Sequence, residues 1–333
     1  MEARSMKDVW KTELTKNARG GTEILAERLF AEFGPELEQF QIIPSRVGEL
    51  QRDKIRILWV HDLGEDPMNH HLANGGWDKF HKIVFVSYMQ REDYLLRYGI
   101  PPSMTTVLHN SIVPIECNIE DKPKDRIDIV YTPTPHRGLG LLVPVFEKLA
   151  EKHADIHLHV YSSFELYGWK ESDTPYLPLF EHIKSHPKMT YYGSVSNEEI
   201  RESLKSKHIF AYPSIWKETS SLCLMEAMSA GLACVHSSLG ALPETASNWT
   251  FQYDFDEEHN RHANKFYPLM EHVINLIRDS PPYVELRSQK SYTDLFYSWD
   301  LRKYQWKDLF DNLIQENKDK SLDLPKEKFS YGA

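Results

Sequence analysis

Short apolar runs alternate along this chain with longer segments whose apolar residues recur at helical spacing, the pattern of a parallel sheet joined by crossover helices. In the first half, FQIIPS (40–45), IRILWVHD (55–62), KIVFVS (82–87) and TTVLHN (105–110) predict strands. A polar, charged stretch, ECNIEDKPKDR (116–126), then interrupts the alternation and reads as an interdomain linker. Beyond it, IDIVYTP (127–133), IHLHVYSS (156–163), MTYYGS (189–194), HIFAYPS (208–214) and LACVHSS (232–238) predict a second set of strands, with helices between them. TEILAERLFAEF near the start and WDLRKYQWKDLFDNLIQEN (299–317) near the end read as helices. A chain of 333 residues holds two domains of ordinary size, each with its own core.

The chemistry concentrates in YPSIWKETSSLCLMEAMSAGL, residues 212–232. Pro213 has no amide hydrogen to give a ladder, so it ends the strand and turns the chain outward. Ser220 or Ser221 suits an N-cap, and the helix that follows should run through Met228 and stop at Gly231. Its first turn leaves backbone N–H groups unpaired and carries the positive end of the helix dipole, a setting that favours a diphosphate. Glu218 stands just before that end. Glu226 follows in E-x7-E spacing, its side chain leaning back toward the helix start. Carboxylates are repelled by an anion, so these two fit hydroxyls on either side of it, those of a sugar and a ribose. The competing reading is a solvated helix face with a chance pair of glutamates.

The segment resembles the E-x7-E signature of retaining glycosyltransferases of the GT-B fold, group 1 or family 4-like, and the resemblance runs from about Gly20 to about Asn312. It implies an α/β architecture of two doubly wound Rossmann-like domains facing a central cleft. On that scheme residues 1–118 are a reduced, acceptor-side domain, 119–298 the nucleotide-sugar domain, 299–317 a helix crossing back to the first domain, and 318–333 a polar tail. It assigns Glu218 to the donor sugar and Glu226 to the ribose. Thr219, Ser220, Ser221 and Leu222 then lie along the donor at the helix start. The loop NARGGTE places Gly20, Gly21 and Thr22 beside the donor phosphates, where paired glycines let backbone come close. Family members carry an apolar strand directly before those glycines, whereas this chain offers KDVWKTELTKN. In YTPTPHRGLGLL, Arg137 takes the second of two family positions for phosphate-binding cations, and Thr132 occupies the first. His61, ending ILWVHD, is assigned to the donor sugar, and Val195 of Gly193-Ser194-Val195 to the nucleotide base. Asp62, Glu65 and Asp66 could bind acceptor hydroxyls, or simply form a solvated loop. The resemblance further implies catalysis by Glu218, Arg137 and His61 with neither metal nor cofactor, a UDP-linked donor, and an acceptor that is a glycan, a glycolipid or, less readily, a modified DNA base.

Composition narrows the classes. With 41% hydrophobic and 26% charged residues the chain is globular, and its formal net charge of −10 disfavours broad electrostatic binding to nucleic acid or an anionic membrane. No run of about 18 apolar residues exists and MEARSMKDVW lacks a hydrophobic signal region, so a cytoplasmic protein without stable membrane insertion is expected. Lys7, Lys11, Lys16 and Arg19 make a modest basic segment that would permit peripheral membrane contact, diluted by Glu2, Asp8 and Glu13. Cys117, Cys223 and Cys234 show neither metal nor disulfide spacing and read as reduced core thiols. Adjacent His70 and His71 have no third ligand at useful spacing. Gly138-x-Gly140-x-x-Val143 is most of a dinucleotide fingerprint, yet it lacks the third glycine and no acid ends the next strand. A nicotinamide enzyme therefore competes weakly. A same-fold epimerase or phosphorylase and a non-catalytic nucleotide-sugar binder stay open.

Overall fold

The computed structural model describes residues 20–318, 320 and 322. The basic residues Lys7, Lys11, Lys16 and Arg19 and the segment KDVWKTELTKN lie outside the described residues, as does most of the tail after 318. The chain divides into two compact units, one made of residues up to Asn110 together with those from Trp299 onward, the other of Ser111–Ser298.

In the first unit, β1 (Phe40–Pro44), β2 (Ile55–Val60), β3 (Lys82–Phe85) and β4 (Thr105–Val107) form a parallel sheet in the order β1-β2-β3-β4. All residues of β1 and β2 are buried, as expected of parallel strands covered on both faces. Helix α1 (Gly21–Phe33) buries Leu25, Ala26, Leu29 and Phe33, an i, i+4 stripe. Helix α2 (Tyr88–Tyr98) is capped by Ser87, whose hydroxyl accepts from the Gln90 amide, and ends at Gly99 in the left-handed region. The last helix, α10 (Trp299–Asn317), belongs to this unit because its aromatic residues fill it. Trp306 meets Trp59 edge-on at 4.9 Å, and Phe310 lies 5.2 Å from Phe33 and 4.8 Å from Phe40 between ring centroids.

The second unit is a parallel sheet in the order β10-β9-β8-β5-β6-β7, built from β5 (Ile127–Tyr131), β6 (Ile156–Val160), β7 (Met189–Tyr191), β8 (Ile209–Tyr212), β9 (Ala233–Ser237) and β10 (Phe251–Tyr253). Helices α3 (Leu139–Lys152), α4 (Leu177–Ser185), α5 (Asn197–Leu204), α6 (Leu222–Ser229), α7 (Leu242–Ala246), α8 (His259–Asp279) and α9 (Tyr283–Phe296) complete it. The strand β10 has only the residues Phe251, Gln252 and Tyr253, too short a run for periodicity to reveal. Because β5 pairs with β6 on one side and β8 on the other, the connections leaving β5 and β8 diverge. This is the topological switch point, where an open parallel sheet leaves a crevice beyond its carboxyl ends.

The expected linker is part of this second unit. Ile119, 5% exposed, sinks into the core cluster, and the Lys122 ammonium donates to the carbonyls of Lys207 and Ala230. This apolar anchor and these hydrogen bonds, with the Cys117 thiol on the Ala230 carbonyl and His208 Nε2–H on the Pro123 carbonyl, tie down a stretch whose composition reads as solvated. The units accordingly part between Asn110 and Ser111, before the boundary at 118 that the charge pattern suggests.

His236 in β9 is fully buried and neutral. Its Nδ1–H donates to the Ser237 carbonyl at 2.9 Å while Nε2 accepts from the Thr250 hydroxyl at 2.7 Å, and burial pushes its pKa down to about 4. An unfolded chain holds a proton there below pH ~6.5 that the folded chain refuses, so stability falls as pH drops through that window, by up to about 3 kcal/mol near pH 4. The urea midpoint of the second unit should therefore decline less steeply between pH 7 and 4.5 in His236→Phe than in the wild type. Equal slopes would show that His236 does not carry this linkage.

Candidate functional site

At the switch point the two diverging loops are locked together. The Ile215 amide donates to the Arg137 carbonyl at 3.2 Å, and a Cβ at Gly138, whose φ is +132°, would stand 2.3 Å from the Pro213 carbonyl oxygen. Only glycine lets the β5 loop pass so close to the β8 loop. The turn Pro135–Arg137 then delivers the Arg137 guanidinium to Glu218. Arg137 Nη1 donates to Glu218 Oε1 at 2.7 Å, and the Tyr212 hydroxyl donates to the same oxygen. Glu218 is 4% exposed, and its backbone forms a parallel bridge with Gly240, with the Ala241 amide donating to its carbonyl at 2.8 Å.

The electrostatics follow from burial. Burial raises the Tyr212 pKa well above its ordinary value, with the Glu218 charge adding to it, so the hydroxyl remains a donor. Burial opposes the Arg137 charge most strongly, but the Glu218 carboxylate together with Tyr167, Tyr212 and Cys223 outweighs it, so the guanidinium stays firmly protonated. Around this pair, Arg137 Nε, Ser220 Oγ, Thr134 Oγ1 and His136 Nδ1 are buried and make no hydrogen bond among the described residues. A buried polar atom left unpaired costs about 1–3 kcal/mol, so four of them on two adjoining loops fit a polar ligand with several acceptor oxygens. The His136 ring stacks on Phe164 at 5.0 Å and meets Trp216 edge-on at 4.7 Å, while the Arg137 guanidinium lies 5.8 Å from the centroid of Trp216, which is 42% exposed. Burial pushes His136 down to about 4, with Arg137 assisting, so it is neutral at physiological pH.

Helix α6 starts where the sequence suggests. Ser221 is its N-cap, accepting from the Leu224 amide at 3.3 Å. Its end is a Schellman turn, with the Leu232 amide on the Ala227 carbonyl, the Gly231 amide on the Met228 carbonyl and Gly231 at φ +65°. Thr219 and Ser220 are half-buried ahead of the cap, and Leu222 opens the first turn. Glu226 lies farther along the helix and is held by other residues. Asn197 Nδ2 reaches both of its oxygens, at 3.0 and 3.2 Å, and Arg201 Nη1 reaches Oε1 at 3.3 Å. Both partners come from α5, whose capping box of Ser196 and Glu199 fixes the turn after Gly193 and the half-buried Val195. Thr132, in place of the first family cation, is buried beside the Cys223 thiol, which burial pushes up to about 11. Cys117, Cys223 and Cys234 are free thiols.

In the first unit, Gly20 is the N-cap of α1 in extended backbone, followed by Gly21 and Thr22, both half-buried. Glu23 in the same turn has its pKa raised by burial, with the nearby Asp62 charge contributing. His61 follows β2 with its ring 4.6 Å from Trp59, and burial pushes its pKa down to about 3, so it acts as a neutral imidazole. Asp62 and Asp66 share Arg46 at 3.6 and 3.5 Å, and Glu65 pairs with Arg97 at 3.3 Å. Among the described residues no group of three His, Cys, Asp or Glu side chains is placed to hold a metal ion.

The spacing marks Arg137 and Glu218 as ligand candidates but does not set them against each other, and it gives no sign that Tyr212 and Gly240 meet Glu218 or that Asn197 and Arg201 hold Glu226. The available signal for Gly240 was a lone glycine between a strand and a helix that starts with proline, SSLGALPE.

Residues 118–272 match the family model described as glycosyl transferases group 1. The chain is 24% identical over 256 residues to a phosphatidylinositol N-acetylglucosaminyltransferase gpi3 subunit of Schizosaccharomyces pombe, covering 75% of this chain and 53% of that one. It thus spans about half the length of that relative. Among solved structures, a glycosyltransferase from Rickettsia africae superposes with a TM-score of 0.63 at 14% identity, covering 95% of this chain and 84% of that one. Anabaena HepE in complex with UDP-glucose gives 0.63 at 12% identity, covering 87% and 82%. Residues 118–272 are a group 1 glycosyltransferase domain, and the fold is that of the GT-B glycosyltransferases.

Gly240 tests how the acid is held. A Cβ there would lie 2.5 Å from the Glu218 carbonyl oxygen and 2.7 Å from its nitrogen, at φ +64°. Gly240→Ala should cost about 2 kcal/mol in urea denaturation. Gly140→Ala, whose Cβ would meet nothing within 4 Å on α3, should be neutral or stabilising by up to about 1 kcal/mol.

Proposed function

We propose that the chain is a retaining glycosyltransferase that moves a sugar from a UDP-linked donor to a glycan or lipid-linked acceptor. The observation that carries this reading is the cluster of buried, unpaired polar atoms around the Arg137–Glu218 pair at the switch point. Arg137 Nε–H and the hydroxyls of Ser220 and Thr134 are donors for phosphate oxygens, and the first turn of α6 adds backbone N–H groups. Glu218 is held through Oε1 by Arg137 and Tyr212 and offers its second carboxylate oxygen as the acceptor for a sugar hydroxyl, and Glu226 is assigned to the ribose and Val195 to the base.

Transfer passes through an oxocarbenium-like sugar with a departing diphosphate. Arg137 and the start of α6 meet the negative charge growing on the leaving group, a contribution that costs about 3 kcal/mol of barrier when one such donor is removed. Glu218 orients the sugar. The acceptor attacks from the face of the leaving group and passes its proton to a phosphate oxygen, so retention requires no protein nucleophile. Gly20, Gly21, Thr22 and His61 are proposed to complete donor and acceptor binding, with His61 as a neutral hydrogen-bonding group. No metal or cofactor is invoked.

The name of the Schizosaccharomyces pombe relative supports N-acetylglucosamine as the sugar and a lipid as the acceptor. Among the described residues no helix is long and apolar enough to cross a membrane. A cytoplasmic location that permits peripheral membrane contact is part of the proposal. A binder without turnover is the second reading, favoured by the buried Thr132 where the family has a cation.

Calorimetric titration with UDP, GDP, ADP, UDP-N-acetylglucosamine, UDP-glucose and NAD tests the donor. One uridine nucleotide should bind saturably. Arg137→Ala and Glu226→Ala should each weaken it by about tenfold, whereas Glu218→Ala should mainly slow transfer. Binding of NAD alone, or nucleotide affinity untouched by both weakening variants, would overturn the reading. Binding without transfer to any acceptor would favour the second.

A further inference from the structure

The second unit has a cavity of about 250 Å³ at the end of the sheet opposite the switch loops. It is bounded by the amino ends of β5 and β8, the residue before β6 and the facing ends of α8 and α9, with Ile127, His208, Asp155, Ile277 and Leu286 in its wall. Lys122, Lys124, Arg126 and Arg278 also line it, a cationic set on a chain of net charge −10. Two of these charges are matched. Arg278 holds Asp155 at 2.6 and 2.8 Å, and Arg126 holds Asp128 at 2.8 and 2.9 Å. Lys124 is exposed and pairs with no carboxylate among the described residues. Lys122 is 7% exposed, and its ammonium donates to the carbonyls of Lys207 and Ala230, with no carboxylate paired to it among the described residues.

A buried ammonium with carbonyl partners alone is costly, and no carboxylate among the described residues pairs with it. Burial lowers the Lys122 pKa to about 8, which still leaves it charged at neutral pH. His208 supplies no charge, because its Nδ1 accepts from the Asp128 amide at 3.0 Å while Nε2–H donates to the Pro123 carbonyl at 2.8 Å. The rest of the wall is apolar, from Ile119, Ile127, Ile277, Tyr283 and Leu286. A purely hydrated anion would waste that surface, and a purely apolar molecule would leave Lys122 unmatched.

We propose that this cavity binds a small soluble amphiphilic anion, a phosphate monoester with a short apolar body, whose charge pairs with Lys122 and Lys124. The proposal is independent of the sugar-transfer reading, since the strands run parallel and put the two sites at opposite ends of the sheet.

Calorimetry of the full chain with hexyl phosphate, set against hexanol and inorganic phosphate, tests it. Hexyl phosphate should bind at a single site, with each comparator weaker by about tenfold or more. Lys124→Glu, an exposed change that leaves the core intact, should weaken binding by about tenfold, whereas Arg137→Ala should leave it unchanged. Hexanol or inorganic phosphate binding as tightly, indifference to Lys124→Glu, or loss in Arg137→Ala would overturn the proposal. Failure of hexyl phosphate combined with Lys124-dependent sedimentation on phosphatidic acid vesicles would also overturn it, by making the source a lipid headgroup.

Discussion

A single carboxylate oxygen organises the ligand-facing edge of the second unit. Glu218 Oε1 accepts from Tyr212, at the end of β8, and from Arg137, in the loop after β5. A carboxylate 4% exposed would be expensive without such donors, and a guanidinium in the same surroundings would be expensive without the carboxylate. Each charge therefore fixes the other. The glycines at 138 and 240 exist to let backbone come close enough for this, one against Pro213 and the other against Glu218 itself.

The same pairing shapes how a diphosphate would be met. A guanidinium has five N–H donors in a rigid fork. Here Nη1 is committed to Glu218, whereas Nε points to no partner. Arg137 can thus hold the acid and a phosphate oxygen together, with Glu218 lowering the net positive charge of the site. On the proposed function, that balance would suit a leaving group that must also depart. Glu226 is separated from this pair by its own clamp on α5, so the E-x7-E spacing joins two anchoring clusters rather than one.

How much was legible depended on the range of the interaction. Nine strands could be read from their apolar runs, and β10 could not, because three residues with one buried carry no period. The cap at Ser221 and the stop at Gly231 were legible because capping is local chemistry within a few residues. The stretch 116–126 reads as a linker because its composition is polar, while its conformation is decided by Ile119, seated against Gly231 more than a hundred residues away, and by the Lys122 ammonium on the Lys207 and Ala230 carbonyls. Arg137 and Glu218 were each visible as candidates, but their contact spans 81 positions in sequence and leaves no local trace.

The sequence by itself determined the alternation of strands and helices, the start and end of α6, and which side chains carry chemistry, since hydrophobic period, capping and residue type are properties of neighbours along the chain. Tertiary structure decided which of those side chains meet. Placing β5 between β6 and β8 creates the switch point, and only that strand order brings Arg137, Tyr212 and Glu218 onto one oxygen. The physical reason is that a buried charge is stabilised by partners in space, and proximity in space is set by strand pairing rather than by spacing along the chain.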